Sequence, residues 1–384
     1  MARWVEPMGL LHGRGAFAAV AAGAALPLEG GSAAFTLVRL IEDGRVAGLM
    51  PAVETPEAWQ EAVLAITRPP QPFAGLPDAA GLGRPLVMGV LNVTPDSFSD
   101  GGRHFDPRAA LMAANAMLEA GADMIDVGGE STRPGAAPVD AETETARILP
   151  VIREIAKDAP VSVDTRHAST MRAALEAGAE VVNDITALRH DPEAMAVAAE
   201  AGCPVVLMHM PGTDPATMQQ HAIYGDVVLE VAEFLAARIA ACEAAGIPRH
   251  RIAVDPGIGF GKTMEHNLEL LDRLPILLGL GCPVLVGASR KRFIGTLSGA
   301  SSPRERMAGS VGVAVAAAAR GAAMVRVHDV AETVAALKLW RASVAGLPQG
   351  GVEPGGVEQG GVEPGAEVPA GAGAEVRAGE SAGA

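Results

Sequence analysis

Between Pro85 and Ala345 the chain repeats one pattern: a helical run ends in glycine, a short unbroken apolar run follows, and that run ends in a polar residue. "EAGADMIDVGGE", "EAGAEVVNDI", "EAGCPVVLMHM", "GIPRHRIAVDPG", "GLGCPVLVGASRK" and "ARGAAMVRVHD" all follow it. "PLVMGVLNVT" at the front and "APVSVDT" after the second helix bring the predicted strands to eight. Continuous runs of Val, Ile, Leu and Met belong to parallel strands buried on both faces. The helices between them carry starts and stops. Asp106-Pro107 and Asp191-Pro192 read as N-cap and first-turn pairs, and Gly121, Gly178 and Gly202 as left-handed C-terminal residues. Eight such units over about 260 residues predict an α/β fold of the (β/α)8 TIM-barrel type. A doubly wound sheet would need a glycine-rich dinucleotide turn after its first strand, and that position reads "NVTPDSFSDGG".

The rest of the chain divides around this barrel, assigned to 84–345. Residues 1–83 form an N-terminal extension of unassigned role. Within it "AAFTLVRLIEDGRVAGL" predicts two short strands around "EDG", "PEAWQEAVLAI" a short helix, and "RPPQPFAGLPDAAGLGRP" a linker. "AFAAVAAGAALPL" has the look of a leader's apolar core, but Glu6 and His12 interrupt the basic lead-in. Residues 346–384 open with repeats of Gly, Val and Glu, contain no aromatic residue and predict a disordered tail; from 348 onward six glutamates and one arginine give it a net charge of −5.

Composition narrows the function classes. A net charge of −15 over 384 residues argues against a nucleic-acid partner. No apolar run reaches the roughly 18 residues of a membrane span. Cys203, Cys242 and Cys282 are widely spaced with no CxxC, which suits a reducing cytoplasm and excludes a zinc-ribbon or disulfide framework.

In a TIM barrel the active site is built at the C-terminal ends of the strands. Here those ends carry Asn92, the "GGESTRPG" loop, Asp164, Asn183 with Asp184, His209, Asp255, Ser289 to Lys291, and Arg326 with His328. Carboxylates and carboxamides in one rim suit a flat, donor-rich heterocycle. Arg326 and His328, after the eighth strand, sit where barrels commonly hold phosphate. "VDPGIGFGKT" has the glycines, lysine and threonine of a P-loop, but Gly257 and Gly261 enclose three residues where a P-loop has four. A bland reading stands beside each residue. Asp164 could cap the next helix, His209 reads as a satisfied core-edge histidine, and Lys262 reads as a surface lysine.

"GVLNVTPDSFSDGG", "MIDVGGESTRPGA", "VSVDT", "VVNDI", "LMHM", "DPGIGFGKT", "GASRKRFIG" and "RVHDV" together resemble the dihydropteroate synthase family, in order and over residues 85–343. That resemblance implies a transferase of folate synthesis that joins p-aminobenzoate to 6-hydroxymethyl-7,8-dihydropterin pyrophosphate. It implies that Asn92 ligates Mg2+ with the pyrophosphate, and that Arg326 and His328 grip the same group. Asp164, Asn183, Asp255 and Lys291 would hold the pterin, with Asp164, Lys291, Arg326 and His328 as the catalytic set. Thr132, Arg133, Pro134, Phe260 and Lys291 would surround p-aminobenzoate, and the assembly would be a homodimer. The loops "TPDSFSDGG" and "ESTRPGAAPVD" are long for their position and are expected to close over pyrophosphate. Where some members place a serine after Ser-Arg-Lys this chain has Arg292, which leaves the grip on the aminobenzoate carboxylate open. A pterin-binding methyltransferase and a silent pterin-binding paralogue are the rival readings. The first has no need of "STRPG" and "SRK", and the second would be expected to lose Asn92, Arg326 or His328.

Overall fold

The computed structural model of the chain describes residues 3–69, 71–77, 82, 84–94, 107–131 and 138–345. The predicted tail, Asp106 and most of the two long loops lie outside the described residues. The N-terminal extension forms a four-stranded antiparallel sheet from β1 (Arg3–His12), β2 (Leu26–Leu28), β3 (Ala33–Glu42) and β4 (Arg45–Pro51). The predicted pair around "EDG" is β3 and β4, joined by Asp43 and Gly44, both with positive φ. β1, which the sequence pattern does not announce, pairs with the full length of β3. The alanine-rich stretch becomes the helix Gly13–Ala21, which lays Ala16 against Ala25 and Ala34.

The eight apolar runs form a parallel sheet of β5 (Leu86–Asn92), β6 (Met124–Gly128), β7 (Val161–Asp164), β8 (Val181–Asp184), β9 (Val205–Met208), β10 (Ile252–Asp255), β11 (Leu285–Val286) and β12 (Met324–Val327). Its order is β10-β9-β8-β7-β6-β5-β12-β11, and a parallel bridge from Val254 to Val284 joins the two ends, so the sheet closes into a barrel. Gly121, Gly178 and Gly202 all have positive φ, as their helix ends require. Asp191 behaves differently from a simple cap. Its helix begins at Ala194, and its carboxylate takes the N–H groups of Glu193 and of Ala168 in the preceding unit. Asp140 and Asp226 do cap theirs, accepting from Thr143 and from Val228 and Leu229.

Side chains alternate along a strand, so the lumen of the barrel is stacked in steps of two residues. Met88, Met124, Val181, Val206, Ala253, Leu285 and Met324 make one apolar cluster inside it. Two residues further along their strands come Asp126, Asn183, Asp255 and Arg326. Apolar filling therefore gives way, in one step, to a polar mouth.

The opposite end is plugged from outside. Phe73, in the stretch whose composition reads as a linker, is 3% exposed and joins the cluster of Leu86, Met88, Met124 and Met324. Phe73→Leu removes part of this plug far from the polar mouth. We expect a loss of about 1–2 kcal/mol in stability, read by thermal melting, with turnover at the mouth unchanged.

The extension is fastened to the barrel as well as packed on it. Val5, Phe35, Val38 and Ile41 share one core with Leu274, Ile276 and Leu277. Glu6, 3% exposed, accepts from Arg39 and from Arg273, and Arg273 also pairs with Asp226 and Glu269. A carboxylate so buried is tolerable only because both its oxygens meet guanidinium groups.

Candidate active site

The polar mouth is organised around Arg326. Its Nε donates to Asp126 Oδ2 at 2.6 Å and its Nη2 to Asp164 Oδ2 at 2.6 Å. Asn183 Nδ2 donates to the same Asp126 oxygen at 3.1 Å. Asp126 is fully buried, and its Oδ1 has no partner among the described residues. Burial holds the Asp164 carboxyl above the usual range against the pull of Arg326, with Asp126 adding repulsion. Burial also works against the charge of Arg326, but Asp126 and Asp164 outweigh it and keep the guanidinium protonated. One cation thus serves a buried carboxylate and a partly buried one, and its Nη1 has no bond among the described residues.

Asp255 lies on the other side of the lumen. Its Oδ1 accepts from Gly257 N at 2.7 Å, and its Oδ2 has no protein donor among the described residues. Burial raises its pKa, opposed first by Lys291. Lys291 stands at the start of the helix Arg292–Ser298. Its Nζ donates to the carbonyl of Ile258 and lies 4.4 Å from the centre of the Phe260 ring. Burial lowers its pKa to about 8, with Asp255 drawing it back.

The "GIGFG" turn explains its glycines by close approach. Gly257 has φ +69, and a Cβ there would stand 1.9 Å from the carbonyl oxygen of His209. Asn267 holds the turn from below, accepting from Gly259 N at 2.6 Å, while Tyr224 and Gln219 donate to the carbonyls of Gly261 and Gly259. Within the turn, Gly257 N is committed to the Asp255 carboxylate and Gly259 N to Asn267.

Two expectations separate here. His209 is the satisfied histidine expected, buried, edge-on to Phe234 at 4.8 Å and bonded at Nδ1. Lys262 is not on the surface. It is 5% exposed, and its Nζ meets His209 Nδ1 at 2.9 Å, Phe260 O at 3.1 Å and His209 O at 3.4 Å. His209, after the neighbouring strand, offers two acceptors and the turn one, which local sequence does not reveal.

Asp184, grouped with Asn183 in the sequence, turns away from the mouth. It accepts from Thr186 N, Thr186 Oγ1 and Leu188 N and so shapes its own loop, where Ala187 and Leu188 have positive φ. His328 is bonded through Nδ1 to Ser289 Oγ at 3.0 Å, and Arg290 pairs with Asp329, which stitches the last two strand ends together. Asn92 ends β5 half-buried, opposite Gly128. Arg292 is exposed at the first position of its helix. Thr132, Arg133 and Pro134 lie outside the described residues.

Asp126 belongs to the mouth although it does not end its strand, so the strand-end rule passes over it. The signal is nonetheless present: a carboxylate inside "MIDVG", two residues after a lumen-facing methionine, must itself face the lumen.

Comparison with known proteins gives the family. The sequence model for the pterin binding enzyme family matches residues 88–328. The dihydropteroate synthase of Escherichia coli K12 is 49% identical over 266 residues, which cover 69% of this chain and 93% of that one. The Xanthomonas albilineans dihydropteroate synthase solved with 4-aminobenzoic acid is 51% identical, covers 69% of this chain and 94% of its own, and superposes with a TM-score of 0.65. The same organism's enzyme solved with 7,8-dihydropteroate has 49% identity over 69% of this chain and 95% of its own, with a TM-score of 0.62. With its barrel, its polar mouth and nearly the full length of these relatives matched, the chain belongs to the dihydropteroate synthases of the pterin-binding enzyme family.

Proposed function

We propose that Asp255, Asn183 and Lys291 hold the dihydropterin while Arg326, His328 and Asn92 receive its pyrophosphate, so that p-aminobenzoate can displace it. The synthase reaction breaks the bond from the exocyclic carbon to the pyrophosphate oxygen and forms one to the aniline nitrogen, which gives up a proton. The observation that carries the residue roles is Asp255 Oδ2, an acceptor buried in the mouth and without a protein donor among the described residues. The amino-pyrimidinone edge of a pterin offers two parallel N–H groups to such an oxygen pair. Positive charge that develops on the exocyclic carbon finds Asp164 within the same lumen. No covalent nucleophile is needed; the protein positions both reactants and neutralises the leaving anion.

Phe260 and the Lys291 stem wall the p-aminobenzoate side. Arg292, exposed at its helix start, is available to the aminobenzoate carboxylate. Mg2+ would be held by Asn92. A single carboxamide, with no cluster of three or more acidic, His or Cys side chains among the described residues, suits an ion that keeps waters and takes its other ligands from phosphate. When bound, the ion neutralises charge on the departing pyrophosphate. The three free, buried cysteines support a cytoplasmic enzyme, and the homodimer rests on the family resemblance alone.

Pyrophosphate release from the dihydropterin substrate with Mg2+, measured with and without p-aminobenzoate, tests this reading. Release matched by dihydropteroate confirms it, and pterin binding with neither product overturns it. The protonated Lys291 gives a second check. Its charge is present below about 8 and lost above it, so kcat/KM for the pterin substrate should fall about tenfold per pH unit on the alkaline side. Lys291→Arg should move that limb to higher pH; a limb that stays in place assigns it to another group.

A further inference from the structure

We infer that Lys262 is a positioning residue for the pterin pocket, acting from behind the "GIGFG" turn to hold Asp255, Lys291 and Phe260 in register. This rests on the pterin reading of the Asp255 pocket. The ammonium directs its hydrogen bonds to His209 and the Phe260 carbonyl, and none goes to a side chain assigned to substrate. Its three acceptors belong to two elements: His209, just past β9, and the carbonyl of Phe260 in the turn after β10. It therefore staples the turn to the neighbouring strand end.

That staple has a defined path to the substrate groups. His209 N donates to Asp255 O at 3.0 Å, which ties the two strand ends by backbone. The turn's first amide, Gly257 N, supplies the hydrogen bond that orients the Asp255 carboxylate at 2.7 Å. Two residues of the turn then seat Lys291: the carbonyl of Ile258 accepts from its Nζ, and the Phe260 ring lies under it. Every substrate-facing group on this wall is thus held by the segment Lys262 anchors.

The chemistry of the staple is consistent with its place. Burial keeps His209 neutral, helped by Lys262 beside it, whose own pKa burial lowers to about 7. Its Nδ1 is then the acceptor of the Nζ–H bond, with the proton on Nε2. Phe234 and Tyr224 close around the imidazole. Lys262 supplies two directed bonds to His209, 53 residues earlier, and one to the Phe260 carbonyl within its own turn.

The test compares Lys262→Met and Lys262→Gln with wild type, in the full chain, by calorimetric binding of the pterin pyrophosphate and by thermal melting. Lys262→Met keeps the stem and removes the donors. It leaves His209 Nδ1 and the Phe260 carbonyl without their donor, so it should melt modestly lower than wild type and, measured well below that melt, bind the pterin about 10- to 100-fold more weakly, the scale for residues that orient a ligand-binding side chain from behind. Lys262→Gln retains a shorter donor and should fall between them. In an Asp255→Asn background the Lys262→Met penalty should shrink by the share that acts through that carboxylate. Wild-type affinity in either variant, or an equal penalty in both backgrounds, overturns the inference. Should Lys262→Met not fold, Lys262→Gln and its cycle with Asp255→Asn decide between the same two outcomes. Wild type that binds no pterin would instead overturn the reading of the pocket.

Discussion

Asp255→Asn is expected to lose tight pterin binding while the barrel stays as stable as before. The substitution keeps the Oδ1 acceptor that Gly257 N requires, so the turn is undisturbed. At the other position an N–H2 group replaces the open oxygen and meets the donors of the pterin edge head-on. Truncating or reversing one partner of a buried, charge-assisted pair costs roughly 2–5 kcal/mol of affinity. The fold has no reason to suffer. Burial already raises the Asp255 pKa, so ionising it weighs against the native state. A carboxyl raised in this way contributes stability that is present below its unfolded value, near 4, and is lost as pH rises through the folded one. Asparagine lacks that loss, and the variant should gain on wild type as pH rises. Calorimetric titration and melts at two pH values would show both effects. Unchanged affinity, or a variant less stable at neutral pH, would sink the assignment.

The residues legible in advance share a physical property: their neighbours in sequence determine their surroundings. Buried parallel strands are apolar on both faces, so the eight runs stand out, and the residue that ends each run must lie at the mouth. Asn183, Asp255 and Arg326 follow from that alone. What is not legible depends on distant partners. Glu6 is buried because Arg273 reaches it from 267 positions away. β1, interrupted by Glu6, Pro7 and Gly9, is a strand because β3 pairs with its whole length. Lys262, between Gly261 and Thr263, has the local look of an exposed turn. Its burial is decided by His209, 53 residues earlier. The family motif contains that lysine, but motif membership gives no account of where a side chain points.

Arg326→Met should cost both catalysis and stability, and the second loss should depend on pH. The guanidinium stands 2.6 Å from each of two carboxylates. Without it, Asp126 keeps only the Asn183 amide, and Asp164 loses its cation. Breaking a buried ion pair from one side typically costs about 3–5 kcal/mol, and protonation is the only relief left. Asp164, already raised by burial against the pull of Arg326, would rise further. Its contribution is then present below the unfolded value and lost as pH climbs through the higher folded one. The deficit against wild type should therefore be small in mild acid and grow toward alkaline pH, as urea unfolding at several pH values would reveal. Adding Asp126→Asn to Arg326→Met removes one stranded charge and should restore part of the stability with none of the turnover. A deficit independent of pH would mean that packing by the arginine stem, and not its charge, holds the mouth together. Stability unaffected at every pH would mean that the two carboxylates need no cation at all. Only the pH-dependent loss fits an arginine whose Nε and Nη2 hold the barrel's acids in place.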